Sequence, residues 1–255
     1  MTFSLEHIFS ALLTIGARLT GLMLFAPFLG NESVPVRVKA ILVLALTALL
    51  YPSLAASIPV LNLHRWPMTL FSELVIGSAT GIATNLVFDG AQLAGELLSV
   101  QMGYSLASIF DPQTQAQSTV VATFHQMIAM LIFLRLDIHF LILRGLAHSF
   151  EYMPPASGHI HAGFVITTLH TGAAVFATGL QIAAPVLCAT LVADIALGLL
   201  GKASPQLPVM LLGPAIKSIL GLTILMCALK YWPDEFERLF IKSMGTADHL
   251  LHLAT

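Results

Sequence analysis

Five charged residues interrupt otherwise apolar helical segments of this sequence: Arg18, Glu73, Glu96, Asp194 and Lys217. A charge at bilayer depth costs roughly 2.5 to 3.5 kcal/mol on insertion scales, so five of them cannot all face lipid. They must point into a protein interior, pair with one another, or lie beyond the hydrocarbon. Carboxylates and bases in such settings admit three roles: ion-coupled transport, a structural network that holds helices in an assembly, and catalysis. The structural network is the plainest of the three. Catalysis has the least support, because the chain holds no His-Glu-x-x-His for zinc, no Gly-x-Ser-x-Gly nucleophile elbow and no G-x-x-x-x-G-K-[ST] phosphate loop.

The remaining candidate ligands add little. Ten histidines raise a metal hypothesis. His139 and His148, then His159 and His161, flank a proline-rich stretch, but spacings of nine and two residues without cysteines or paired carboxylates make a weak ligand pattern. Surface or interfacial histidines are the default, and no metal or cofactor is expected. Cys188 and Cys227 both sit in apolar stretches and read as small hydrophobes with inert thiols. Glu96 and Gln101 fall five residues apart, about 140° around a helix of 3.6 residues per turn, so they share no face and make no proton-relay pair.

The elements that must position these charges are apolar. The chain has 255 residues, 57% hydrophobic and 9% charged, against roughly 25% charged in an ordinary soluble domain. A mean hydropathy of +0.88 implies more apolar surface than one aqueous core can hide, so lipid or a protein partner must cover the rest. A formal charge of −2 without any basic run excludes nucleic acid, which demands a basic footprint. The N-terminus, with Glu6 and no basic residue before Arg18, lacks the features of a removable signal peptide, and its first apolar segment is expected to stay in the mature chain.

Phe9 to Leu29 is long enough to cross a bilayer. A second apolar stretch, 40–63, should be helical in its first half, with Pro52 and Pro59 leaving the remainder irregular or re-entrant. From Met68 to Phe110 the small residues Gly77, Ala79, Gly81, Ala83, Gly90, Ala91, Ala94, Gly95 and Gly103 permit close helix approach, and two helices are expected there, breaking near Asp89-Gly90. Asp111 to Thr119 should be a loop. A helix over Val120 to Leu143 is interrupted by Arg135 and Asp137, and Glu151 to His161 is the best candidate for a major boundary. A long helix from about Phe164, with a kink expected at Pro185, is closed by Gly198 to Pro208. Leu207 to Trp232 is the last apolar helix, and the tail carries Phe236, Leu239, Phe240 and Met244 at helical spacing.

Taken in order, several blocks resemble the FliR family of flagellar export-gate proteins, whose counterpart in virulence-type secretion is SctT. The blocks are Ala17-Arg18 with Pro27 to Gly30 and Val34-Pro35-Val36-Arg37; Glu73-Leu74-Val75-Ile76-Gly77; Ala94-Gly95-Glu96 with Gln101-Met102-Gly103; Asp111-Pro112; Ser149-Phe150; and Pro205-Gln206 with Gly213-Pro214 and Lys217. Together they cover nearly the whole chain, from about Phe9 to Trp232. The chain departs from the family pattern at Asp137-Ile138-His139, where a glycine often precedes the histidine, and near Lys202, where an arginine is common.

The resemblance implies an all-α, multi-helix membrane-complex protein of long, kinked helical hairpins that is not an enzyme. A FliP-like part, 1–161, would be followed by a FliQ-like hairpin, 162–232, and an amphipathic tail, 233–255. It implies one copy per gate, assembled with FliP and FliQ into a pore-containing complex of the bacterial inner membrane at the flagellar basal body. That complex would be raised largely toward the periplasmic side, dock FlhB, contact membrane lipid and pass unfolded export substrates.

Within 104–117 the resemblance implies a pore plug: Tyr104, Leu106, Ile109, Phe110, Asp111, Pro112, Gln113, Gln115 and Gln117. Arg18, Glu73, Glu96 and Asp194 become buried charges of the assembly. Lys202, Pro205, Gln206, Pro214 and Lys217 become a partner-contact turn. The flagellar branch ranks first because of the Gln-Thr-Gln-Ala-Gln-Ser run after Pro112. A virulence-type gate subunit and an ion-coupled secondary transporter stay open as alternatives, although the chain lacks the inverted halves of the latter.

Overall fold

The computed structural model describes residues 5–27, 34–55, 58, 66–104, 119–153, 162–204, 206 and 209–253. Among these residues the chain is all-α, with eight helices and no strand: α1 (Leu5–Phe25), α2 (Val36–Leu54), α3 (Trp66–Gln101), α4 (Val120–Arg135), α5 (Ile138–Tyr152), α6 (Ala162–Ala203), α7 (Val209–Ala228) and α8 (Trp232–Leu253). By length and composition α1, α2, α3 and α6 could each cross a membrane. The pairs α4 with α5 and α7 with α8 reach that standard only when each is taken as one broken span.

Local chemistry explains most helix ends. Pro35 precedes α2 in extended geometry, and its carbonyl accepts from the amides of Val38 at 2.9 Å and Lys39 at 3.2 Å. Pro52 falls in the last turn of α2, so the helix continues to Leu54 and occupies more of the 40–63 stretch than its first half. The expected interruption after Arg135 is present: Asp137 adopts a left-handed φ of 53°, and α5 starts at the next residue.

The expected break at Asp89-Gly90 is overturned. Helix α3 runs unbroken for 36 residues, and Gly90 serves packing: a Cβ there would lie 2.7 Å from Cγ2 of Thr178. A glycine costs a helix interior only about 1 kcal/mol relative to alanine, and the close approach of a neighbouring helix offsets that. The proline-rich stretch 154–161 lies outside the described residues.

The chain divides into two units. The first comprises 1–86, 134–173 and 240–255. Its helices meet through glycine: a Cβ on Gly21 would lie 2.2 Å from the carbonyl oxygen of Leu74, and one on Gly77 would lie 2.1 Å from that of Arg18. Side chains at these positions would push α1 and α3 apart. Ile76, Ala79, Ala83, Met153, Phe164, Ala247 and Leu250 form its buried apolar cluster. Helix α2 rests on α1, with Thr47 beside Gly16, yet of its side chains only Thr47 and Leu54 are buried.

The second unit comprises 87–133 and 174–239. It too is close-packed at small residues: Gly95 on the backbone of Ala122, Gly179 on Leu93, and Gly221 on Met102. Phe88 and Phe133 meet edge to face, and His125 lies against the ring of Trp232. In the part of α8 within this unit, Phe236 and Leu239 are buried while Glu237 and Arg238 are exposed, as their helical spacing requires.

Candidate functional site

Two polar centres account for four of the five charges. The first is in the first unit, where Arg18 of α1 is completely buried. Its Nε donates to Oε2 of Glu73 on α3 at 2.6 Å, one terminal nitrogen donates to Oγ of Ser149 on α5 at 2.8 Å, and the other donates to the Met153 carbonyl at 3.2 Å. The guanidinium carbon lies 4.0 Å above the centre of the Phe150 ring. The Ser149 hydroxyl in turn donates to the carbonyl of Leu146 at 2.6 Å.

A buried ion pair is offset against its desolvation only when the geometry is good and the remaining donors find acceptors. Arg18 meets those conditions by spreading its planar fork over a carboxylate, a hydroxyl and a carbonyl. The centre ties α1, α3 and α5 together.

The second centre lies in the second unit, where α3 ends. Asp194 of α6 receives Nζ of Lys217 from α7 on Oδ1 at 3.0 Å and Nε2 of Gln101 from α3 on Oδ2 at 2.8 Å. Asp194 is 40% exposed and Lys217 19%, so solvent screens this pair far more than the first. Three residues beyond Gln101, the Tyr104 hydroxyl accepts from Oγ of Ser218 at 2.6 Å. Pro214 of α7 packs where a Cβ of Gly103 would be.

Glu96 joins neither centre: it accepts from Gln92 on its own helix at 3.1 Å. Lys202 and Gln206 are exposed, whereas Pro214 and Lys217 turn toward the end of α3. Pro205 lies outside the described residues, as do Leu106, Ile109, Phe110, Asp111, Pro112, Gln113, Gln115 and Gln117. His159 and His161 also lie outside them. Among the described residues no three His, Cys, Asp or Glu side chains converge to hold a metal ion.

Sequence reasoning missed the roles of Ser149 and Phe150 around Arg18, and those of Gln101 and Ser218 around Asp194 and Tyr104. The signal was faint: each is a polar or aromatic residue adjoining an apolar run, and only the packing of α5 on α1, or of α7 on the end of α3, gives it a partner. The second unit also has a groove of about 410 Å³, walled by Ile182, Pro185, Ile224 and Trp232, with Gln181 and Glu235 hydrogen-bonded at its lip.

Large apolar side chains remain uncovered on α2, α6 and α7, among them Val36, Leu44 and Leu49, Phe176, Ile195 and Leu199, and Ile219 and Met226. Surface of that extent needs lipid or protein over it.

The sequence pattern of the family described as bacterial export proteins, family 1, matches residues 9–243. The chain is 29% identical to the flagellar biosynthetic protein FliR of Escherichia coli (strain K12) over 224 residues, spanning 88% of this chain and 85% of that one. It is 30% identical to the protein of the same name from Pectobacterium carotovorum subsp. carotovorum over 223 residues, again spanning 88% and 85%. With the flagellar biosynthetic protein FliR of Bacillus subtilis (strain 168) the identity is 27% over 257 residues, 98% of each chain.

Proposed function

This chain belongs to family 1 of the bacterial export proteins, and from that premise we propose that it is a structural, pore-forming subunit of the flagellar type III protein export gate. Its relatives make it a membrane component of the flagellar export apparatus. The pairing of the charges carries this proposal. Arg18 with Glu73 and Asp194 with Lys217 are spent on holding helices of this chain to one another, while the apolar faces of α2, α6 and α7 stay uncovered. Such a chain is built to be covered by unlike neighbours and lipid.

On this reading the neighbours are FliP and FliQ in the bacterial inner membrane at the flagellar basal body, with FlhB docking on the assembled gate and unfolded substrates passing through it. Residues 1–161 take a FliP-like place, 162–232 a FliQ-like place, and 233–255 form the amphipathic tail. The gate is raised largely toward the periplasmic side, which sets charged helices against protein instead of lipid. Exposed Lys202 and Gln206 support the assignment of the α6–α7 turn as a partner contact.

The segment 104–117 plugs the closed pore. Leu106, Ile109 and Phe110 supply apolar bulk and Pro112 stiffens the turn. Deleting Phe110 to Gln117 should raise ion leakage through the assembled gate reconstituted in vesicles; unchanged leakage removes the plug assignment.

A further inference from the structure

We infer that one face of α7, together with Asp194, is a socket that fixes where the chain leaves α3. Lys217, Ser218 and Asp194 are then positioning residues for the segment that follows Tyr104. The inference rests on the plug reading for its consequence, although its geometry stands on described residues of the second unit alone.

Four consecutive residues at the end of α3 each engage the socket. Gln101 donates to Oδ2 of Asp194 at 2.8 Å. Met102 is 1% exposed and fills the space over Gly221, where a Cβ would lie 2.2 Å from its Cε. Gly103 sits against Pro214, whose Cβ would be 3.0 Å from a Cβ on the glycine. The Tyr104 hydroxyl accepts from Ser218 at 2.6 Å. On α7 the partners Pro214, Lys217, Ser218 and Gly221 recur at intervals of three and four residues, which sets them on a single face.

The backbone is fixed as firmly as the side chains. Gly103 has a φ of +86°, the Tyr104 amide bonds the Ser99 carbonyl at 2.9 Å, and the Gly103 amide bonds the Val100 carbonyl at 3.1 Å. This is the paired closure that ends a helix on a left-handed glycine and sends the chain off in a set direction. A side chain at 103 would be strained by that φ and crowded by Pro214 at once. Asp194 links the parts, with one carboxylate oxygen on α3 and the other on Lys217 of α7. Loosening the ion pair should therefore release Gln101 even though Lys217 does not touch it.

The test uses the complete complex, purified with its partners. Lys217→Met and Asp194→Asn should speed hydrogen exchange of the amides at 102–104 by roughly 5-fold, the scale expected for a half-exposed ion pair. Gln101→Leu, which removes the donor to Asp194, should speed exchange of the same amides by a similar factor. Should the charge variants fail to assemble, Ser218→Ala removes one hydroxyl and should speed exchange at Tyr104 alone.

Unchanged exchange in intact complexes of Lys217→Met, or of Ser218→Ala where the charge variants do not assemble, overturns the socket. The same holds if Gln101→Leu leaves exchange at 102–104 unchanged. Faster exchange accompanied by ion leakage supports both socket and plug. Faster exchange with no leakage supports the socket and removes the plug reading.

Discussion

Nε of Arg18 lies 2.6 Å from Oε2 of Glu73, and neither side chain exposes more than 2% of its surface. A buried pair of this kind adds little stability relative to apolar residues of the same volume, but breaking it leaves one charge without its partner. Arg18→Met should therefore cost about 3–5 kcal/mol, and Glu73→Gln somewhat less, because the amide oxygen still accepts from the guanidinium. The double variant Arg18→Met with Glu73→Leu should recover a large part of the loss. Thermal unfolding of the detergent-solubilised complex measures all three, and a double variant as unstable as Arg18→Met would show that the charges do not act as a pair.

The close crossing of α1 and α3 predicts a sharp contrast among glycines. Gly77→Ala places a methyl 2.1 Å from a backbone oxygen that cannot move away, so it should destabilise the fold by about 3 kcal/mol or more. Gly172, in α6, has nothing within 4 Å of a Cβ, and Gly172→Ala should stabilise by up to about 1 kcal/mol through helix propensity. The shift in unfolding midpoint should thus have opposite signs for the two substitutions.

Gly90 distinguishes packing from helix breaking. If the glycine marked a break, alanine would strengthen α3. Since a Cβ meets Thr178 at 2.7 Å, Gly90→Ala should instead cost about 1–3 kcal/mol. Adding Thr178→Ala, which removes Cγ2, should return part of that. A stabilised single variant in the same unfolding assay would reject the packing account.

Asp137 joins α4 and α5 in a left-handed conformation and makes no capping hydrogen bond with its side chain. Glycine pays no steric penalty there and loses no cap, so Asp137→Gly should be neutral or stabilising by up to about 1 kcal/mol. Asp137→Val should cost about 1–2 kcal/mol, since a β-branched residue resists positive φ. Equal unfolding midpoints for the two would show that the break does not depend on this residue.

Much of the helical order was legible in the sequence because apolar runs, prolines and the Asp137 interruption are local signals. A lone arginine in the largely apolar α1 has few tolerable fates, and the sequence left burial in the protein as one of several. That its partner is Glu73 was not legible, because the pairing depends on Gly21 and Gly77 letting two helices touch, a relation between residues more than fifty positions apart. Gly90 was misread for a similar reason: a glycine weakens an isolated helix, but inside a packed bundle its missing side chain is what a neighbour occupies. Lys217 shows the remaining gap. Its sequence neighbourhood suggests a turn that meets partners, and only the arrangement of α3, α6 and α7 reveals an internal carboxylate beside it.

On the proposed function, this chain is surrounded by unlike subunits. Co-expressing it with FliP and FliQ from the same source, extracting in mild detergent and measuring the mass of the purified particle tests that claim most directly. One heteromeric particle holding a single copy of this chain is the expected result. A stable particle of this chain alone, with neither partner retained, would contradict it and favour a transporter that works by itself.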